Sequence, residues 1–175
     1  MASSKIPSTL IGAAGENFVL YQLFRRGLLA GQPPAGVADV DLLILDETAN
    51  VITNLQVKTR TYGSDGGWHM KAKHENLVSD RLLYVFVDLE PESPASFIIP
   101  SRIVADHVSR SHAIWLATPG KNGKPHKDTQ MRRLVPNLSF EVPGFAHGWI
   151  EIYRERWDLL HTDAEGRNMN LQRLR

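Results

Sequence analysis

Apolar and polar positions along this chain switch between a helical period and the two-residue period of strands. From about Pro7 to Gly27, Ala13, Ala14, Val19, Leu20, Leu23 and Phe24 recur near helical spacing and predict a first helix. Ser8 is placed to cap it, Arg25 and Arg26 suit the negative end of its dipole, and Gly27 is placed to stop it. Leu28 to Ala30 predict an edge strand, ended by the loop GQPPAG. VDLLIL follows, an apolar run of the kind that fills a buried central strand, then a turn from Asp46 to Asn50 and a partner strand from Val51 to Thr59. YGSDGGW is a glycine-rich loop, Trp68 to Ala72 a short strand or that loop's return, and His74 to Arg81 a helical stretch. LLYVFVDL and SFIIP are two further strands, and Ser101 is placed to cap a helix running to about Arg110.

Beyond this point the pattern is weaker. SHAIWLAT fits strand or helix, and PGKNGKPHKDTQMRR reads as a loop. GWIEIYRERWDLL predicts a last helix, with Trp149, Ile152, Tyr153 and Trp157 spaced to pack, and the tail from His161 to Arg175 is polar. The order lacks the regular strand–helix alternation of a doubly wound fold, so an α+β or mixed-sheet α/β fold is expected. No repeat or linker divides the chain. Residues 1–175 are expected to form a single domain, with 111–175 a C-terminal extension whose arrangement the pattern leaves open.

Composition narrows the class. A chain of 175 residues has enough length for one well-buried core, and 42% hydrophobic with 22% charged residues is ordinary for a globular protein. No apolar run approaches a membrane span, and the N-terminus lacks the apolar core of a secretory signal. There is no cysteine, which excludes disulfides and cysteine zinc sites and fits a cytoplasmic location. The net charge of +1 does not announce a nucleic-acid partner, so any basic surface must be local.

The candidate chemistry lies between Ala38 and Arg60, ADVDLLILDETANVITNLQVKTR. Strand residues two apart share a face about 7 Å apart, so Gln56 and Lys58 point one way with Val57 on the other, and Asp39 and Asp41 pair by the same rule. Paired as a hairpin, the two strands would bring an acid, an amide oxygen and an ammonium together. That set suits holding a divalent cation against a phosphate.

Gly15-Glu16 in a first helix, Asp41 opening an apolar strand and Gln56-Val57-Lys58 ending the next together resemble the PD-(D/E)XK nuclease superfamily. The spacing is most similar to its resolvase-type and intron-homing members, in which a Gln can replace the second acid, and the resemblance spans roughly Thr9 to Ile99. It implies a restriction-endonuclease-like core, a four-stranded mixed sheet flanked by helices with the site at one sheet edge. It further implies a Mg²⁺- or Mn²⁺-dependent endonuclease hydrolysing phosphodiester bonds in DNA. Asp41 would anchor the metal, Gln56 and the Val57 carbonyl would complete its protein ligands, Glu16 would ligate it or hold a bound water, and Lys58 would orient the attacking water. Nucleases of this kind often act as dimers, so a homodimer is expected by analogy. The chain departs from the family's pattern twice: Val40 precedes Asp41 where the family has Pro, and Gln56 brings no charge. The second departure leaves an alternative, a catalytically degenerate module that binds nucleic acid or a protein without cutting.

Other residues carry less. His69 and His74 are five apart, as are His107 and His112, which is not a helix-face ligand pair. GSDGG lacks the Gly-Lys-Ser/Thr of a phosphate loop and reads as a solvated loop or a flap beside the site. Lys71, Lys73, Lys121, Lys124, Lys127, Arg132 and Arg133 are the candidates for contact with nucleic-acid phosphates.

Overall fold

The structure is a computed structural model that describes residues 6–61, 66–89, 93–120 and 122–160. Helix α1 (Ser8–Phe24) opens the chain. Strands β1 (Leu29–Gly31), β2 (Leu42–Leu45), β3 (Val51–Thr61), β5 (Leu82–Leu89) and β6 (Ala95–Pro100) form one sheet in the order β1-β2-β3-β5-β6. Strand β3 pairs antiparallel with β2 and parallel with β5, and all other neighbours are antiparallel, so the sheet is mixed and the fold is α/β. The short edge strand β1 makes it five strands where the resemblance implied four. VDLLIL is accordingly one strand in from the edge, and the centre is β3.

Every residue from Leu82 to Asp88 is buried, as expected of a strand covered on both faces. Helix α1 lies on the β3 face that carries Thr59, because Gly15 abuts that side chain. The opposite face is covered by a two-stranded antiparallel ribbon, β4 (Trp68–Lys71) with β7 (Met131–Leu134). Trp68 seats the ribbon: its indole N–H donates to the Val87 carbonyl at 2.9 Å, and its ring meets Phe86 and Phe97 edge-on. Helix α2 (Ser101–Ala117) packs against β7 and the 3-10 turn Ala72–Glu75. Among the described residues no helix is long and apolar enough to cross a membrane.

Several local expectations change. The buried face of α1 is Gly15, Val19, Gln22 and Leu23, whereas Ala13, Ala14 and Phe24 are exposed. Pro7 and Pro100, not Ser8 and Ser101, occupy the cap positions, and neither helix has a side-chain cap. The Ser101 hydroxyl instead donates to the Ser79 carbonyl and accepts the Ser79 N–H. Gly27 has φ +75°, the left-handed conformation that ends a helix. SHAIWLAT is mostly helix, because α2 continues to Ala117. His74 to Arg81 holds only the end of the 3-10 turn. The expected last helix is two 3-10 segments, Trp149–Tyr153 and Trp157–Leu160. Glu155 separates them at φ +53°, and its carboxylate binds the Ser96 N–H and hydroxyl and the Trp157 indole N–H. Residues 62–65, within the glycine-rich loop, and the tail from His161 lie outside the described residues.

Candidate metal and nucleic-acid site

The β2–β3 hairpin forms as its apolar pattern predicts, closed by a turn in which Asp46 Oδ1 accepts the N–H groups of Thr48 and Asn50 at 2.9 Å. At the other end β2 stops short of β3. Its last ladder residue is Leu42, opposite Leu55, and the Asp41 N–H still reaches the Leu55 carbonyl at 2.8 Å. Beyond it the Asp41 side chain takes the place of backbone: Oδ2 accepts the Val57 N–H at 2.7 Å. This bond fixes the carboxylate at the sheet edge and leaves Oδ1 for another partner. In a strand the N–H and C=O of one residue point to the same side, so the Val57 carbonyl faces the same gap.

Glu16 follows Gly15, the residue through which α1 touches β3. The Glu16 carboxyl is raised above its ordinary pKa by burial and then by Asp41, with Lys58 opposing, so the three side chains lie within range of one another's charge. Lys58 is half-buried. Burial lowers the pKa of its ammonium, and Asp41 and Asp39 counteract that. Glu16, Asp41 and Lys58 thus act on one another's charge, without a direct ion pair among them in the described residues.

Gln56 is 4% exposed. Its side-chain amide lies close to the Asp39 carboxylate and contributes to the lowering of that group's pKa. Its Oε1 is buried with no hydrogen-bond partner. An uncompensated buried carbonyl costs about 1–3 kcal/mol, so Oε1 is an acceptor whose burial a cation would compensate.

Asp39 does not share a strand face with Asp41. It sits ahead of β2 at φ +64°, in a turn, where the alternation rule does not apply. It is ion-paired with Lys73, and that hydrogen bond is the main cause of its lowered pKa. Lys73 is thus held by the protein's own acid. Arg132 is buried and binds Glu75 and Asp128, so its guanidinium also faces internal carboxylates. Lys71, Lys124 and Lys127 are exposed. Lys71 and the half-buried Arg133 lie on the ribbon face opposite Trp68 and Leu134. Lys121 lies outside the described residues.

Two neighbours escaped the sequence reading. Tyr84 stands beside Gln56 in parallel register, and its hydroxyl pairs with His74 Nδ1 at 2.8 Å. Burial pushes the Tyr84 phenol up, and burial together with Lys58 pushes His74 down to about 4. Only the β3–β5 pairing joins them to Lys58, and nothing local in the sequence announces a parallel pair. Further along the same face, Arg60 lies 4.0 Å over the Trp68 ring and binds Asp88 Oδ2 at 2.6 Å.

A cavity of about 710 Å³ among residues 136–149 shares no residue with this group. Among the described residues no three His, Asp or Glu side chains form a ready-made metal cluster. Any ion held here would draw on the Gln56 amide oxygen and the Val57 carbonyl as well as on acids.

No protein-family model matches the chain, and no curated protein matches it. Among solved structures it is similar to a bacterial homing endonuclease, I-Ssp6803I, at 15% identity and a TM-score of 0.47, over 88% of this chain and 91% of that one.

Proposed function

We propose that this chain is a Mg²⁺- or Mn²⁺-dependent DNA endonuclease of the PD-(D/E)XK type, with Glu16, Asp41, Gln56 and Lys58 as its site. The observation that carries the reading is the buried, unpartnered Gln56 Oε1 in a site where Asp41, Glu16 and Lys58 also converge. The donor set is all oxygen, which suits a hard cation. Asp41 Oδ1, Gln56 Oε1 and the Val57 carbonyl would hold the ion, with Glu16 binding it directly or through water. Bound there, it would supply Lewis-acid polarisation of a phosphoryl oxygen and acidification of water. Burial lowers the pKa of the Lys58 ammonium, and Asp41 and Asp39 oppose that. It would hold the attacking water by hydrogen bond and stabilise negative charge developing on the phosphate. Glu16, with its raised pKa, accepts a proton more readily than an exposed carboxylate does.

The DNA assignment draws on the ribbon. A two-stranded β-ribbon fits the major groove of B-DNA, and the outward face of β4–β7 carries His69, Lys71, Met131 and Arg133. Exposed Lys124 and Lys127 would add sequence-independent phosphate contacts.

The discriminating variant is Asp41→Asn. An amide oxygen still accepts the Val57 N–H, so the fold is retained while the charge is removed. Calorimetry with Mn²⁺ and cleavage assays on supercoiled, linear and branched DNA are expected to show metal binding and cutting in the wild type, and neither in the variant. Absence of metal-dependent cleavage on every substrate, with Asp41→Asn indistinguishable from wild type, would remove the enzyme reading. A second reading is a nuclease-like module that binds nucleic acid without cleavage, favoured by the neutral Gln56 where a second acid would add charge. It predicts salt-dependent DNA binding that survives Asp41→Asn.

A further inference from the structure

The outward face of the β4–β7 ribbon presents two cross-strand pairs, His69 with Arg133 and Lys71 with Met131. Met131 is the one apolar member of that face, and it is 56% exposed, whereas Trp68, Met70 and Leu134 of the same ribbon are buried on the other face. Its place in the ladder matters. The Ala72 N–H donates to the Gln130 carbonyl at 3.0 Å, so the next pair in, Lys71 with Met131, falls in the non-hydrogen-bonded register. Opposed side chains stand closest there, with Cβ atoms about 4.5–5.5 Å apart. An ammonium and a thioether therefore project side by side. They do so from the end of the ribbon that leads to the candidate site: Lys73, two residues further on, is ion-paired with Asp39, and the charge of Lys71 is felt at Lys58 and His74.

We propose that Lys71 and Met131 together read one thymine in the major groove close to the cut, Met131 packing on its C5 methyl group and Lys71 donating a hydrogen bond to its O4; this rests on the reading of the chain as a DNA-binding protein. The four bases differ at this edge. Thymine offers the O4 acceptor beside a methyl group, cytosine an amino donor with no methyl, adenine an acceptor and a donor, and guanine two acceptors. Only thymine sets an acceptor and an apolar group on adjacent ring atoms, and those are the two chemistries that the pair presents on adjacent strands. 5-Methylcytosine shares the methyl group, but its amino group would face the Lys71 ammonium, donor against donor. Met131 thus senses the methyl group, and Lys71 tells which pyrimidine carries it. The neighbouring side chains do not compete for the same base. His69 and Arg133 lie two residues along the ribbon, about 7 Å away, which is two base-pair steps of about 3.4 Å. Arg132 is turned inward to Glu75 and Asp128.

The test is selection from a random-sequence duplex library by the full chain, in chelator and again with Ca²⁺, followed by titration of single selected duplexes. A position fixed as thymine is expected. Deoxyuridine at that position removes the methyl group and nothing else, and should weaken binding about fourfold, the weight of one buried methyl. 5-Methylcytosine paired with guanine there should weaken it about fivefold or more, as one wrong base pair does. Both side chains are exposed, so substituting either should leave the circular dichroism spectrum unchanged. Met131→Ser should bind the thymine and deoxyuridine duplexes alike, and Met131→Leu should keep the preference. Lys71→Ala should still prefer thymine to deoxyuridine but no longer distinguish thymine from 5-methylcytosine. A wild type that binds none of the library at any salt concentration removes the DNA reading itself, and this inference with it. Binding with no thymine position, equal affinity of the wild type for thymine and deoxyuridine, a preference that Met131→Ser leaves intact, or a discrimination against 5-methylcytosine that Lys71→Ala leaves intact overturns this inference alone.

Discussion

Replacing Gly15 with Ala tests whether α1 is seated on β3 as closely as the site requires. A Cβ built at Gly15 would lie 1.9 Å from Thr59 Oγ1 and 2.8 Å from both Thr59 Cβ and Cγ2, where ordinary contacts are about 3.5–4 Å. Rotating Thr59 can relieve the contacts to Oγ1 and Cγ2. It cannot relieve the contact to Cβ, whose position is set by the β3 backbone. The helix must therefore move outward, carrying Glu16 away from Asp41 and Lys58. Overpacking of this kind costs about 1–3 kcal/mol, and the gain in helix propensity from Gly to Ala returns about 1 kcal/mol. With a backbone-fixed clash the upper part of the range applies, so the expected net loss is roughly 2 kcal/mol. With a urea slope of about 1–3 kcal/mol/M, the unfolding midpoint should fall by about 1 M. Thr59→Ala in the Gly15→Ala background removes the Oγ1 and Cγ2 contacts and should recover part of the loss. A Gly15→Ala protein as stable as wild type, or more stable, refutes the close approach, since only the propensity term would then be acting.

Two pH effects follow from the structure. His107 is fully buried between Phe145 and Trp149, and burial, only partly offset by Val135 and Asp106, holds it down to about 4. The unfolded chain takes up this proton near pH 6.5 and the native state only near 4, so stability is complete above pH 6.5 and falls as pH drops between these values, by roughly 3 kcal/mol at most. Urea midpoints at pH 8, 6 and 5 should show the decline, and His107→Phe should remove its share. Asp46 has the opposite identity but the same direction: the turn's hydrogen bonds from Asn50 and Thr48 hold its carboxyl at about 2. Its contribution is present above its ordinary value near 4 and is lost as pH falls toward 2, so Asp46→Asn should flatten the stability curve in that range and leave it unchanged near neutrality.

How much of this was legible in the sequence depended on how local the cause was. The β2–β3 hairpin, its Asp46 turn and the strands from Leu82 and Ala95 follow from alternation and apolar runs, which act within a few residues. The electrostatic coupling of Glu16, Asp41 and Lys58 was reachable because α1 and the hairpin are close in sequence and their motifs come in order. The place of Asp39 was not, since a left-handed φ at a non-glycine residue breaks the alternation that paired it with Asp41. The last segment failed for a related reason: Trp149, Ile152, Tyr153 and Trp157 have helical spacing, but Glu155 is drawn out to bond Ser96 on β6, and tertiary contact overrides the period. The β4–β7 ribbon joins residues about sixty apart, and no pattern in either four-residue strand names its partner. The same limit hid Tyr84 and His74 from the site. The buried stripe of α1 was misread because both of its faces are apolar, so hydrophobicity alone could not say which one meets the sheet.

Gln56→Glu separates a ligand from a structural amide, and the geometry makes its outcome specific. Gln56 stands in two relations at once: its amide helps to lower the pKa of Asp39, and its Oε1 is buried without a partner. A glutamate there supplies a charged oxygen where the free carbonyl is, but it removes the N–H donor and sets a carboxylate against Asp39. Asp39 retains Lys73, and Lys58 is close by, so the new charge is not isolated. Without metal, the charge added at a buried position beside Asp39 is expected to lower stability by about 1–3 kcal/mol. With metal, the added charge should tighten binding. An ion at a hundred times its Kd stabilises the native state by about 3 kcal/mol, enough to offset that loss. The expected result is a variant with a lower melting temperature than wild type in chelator and one equal to it or higher in saturating Mn²⁺, together with a smaller Kd for Mn²⁺ by calorimetry. If Gln56 serves only to hold Asp39, the chelator measurement gives the same drop, but Mn²⁺ neither restores the melting temperature nor binds more tightly. That pair of results would remove Gln56 from the metal site while leaving Asp41 and Glu16 to be judged on their own variants.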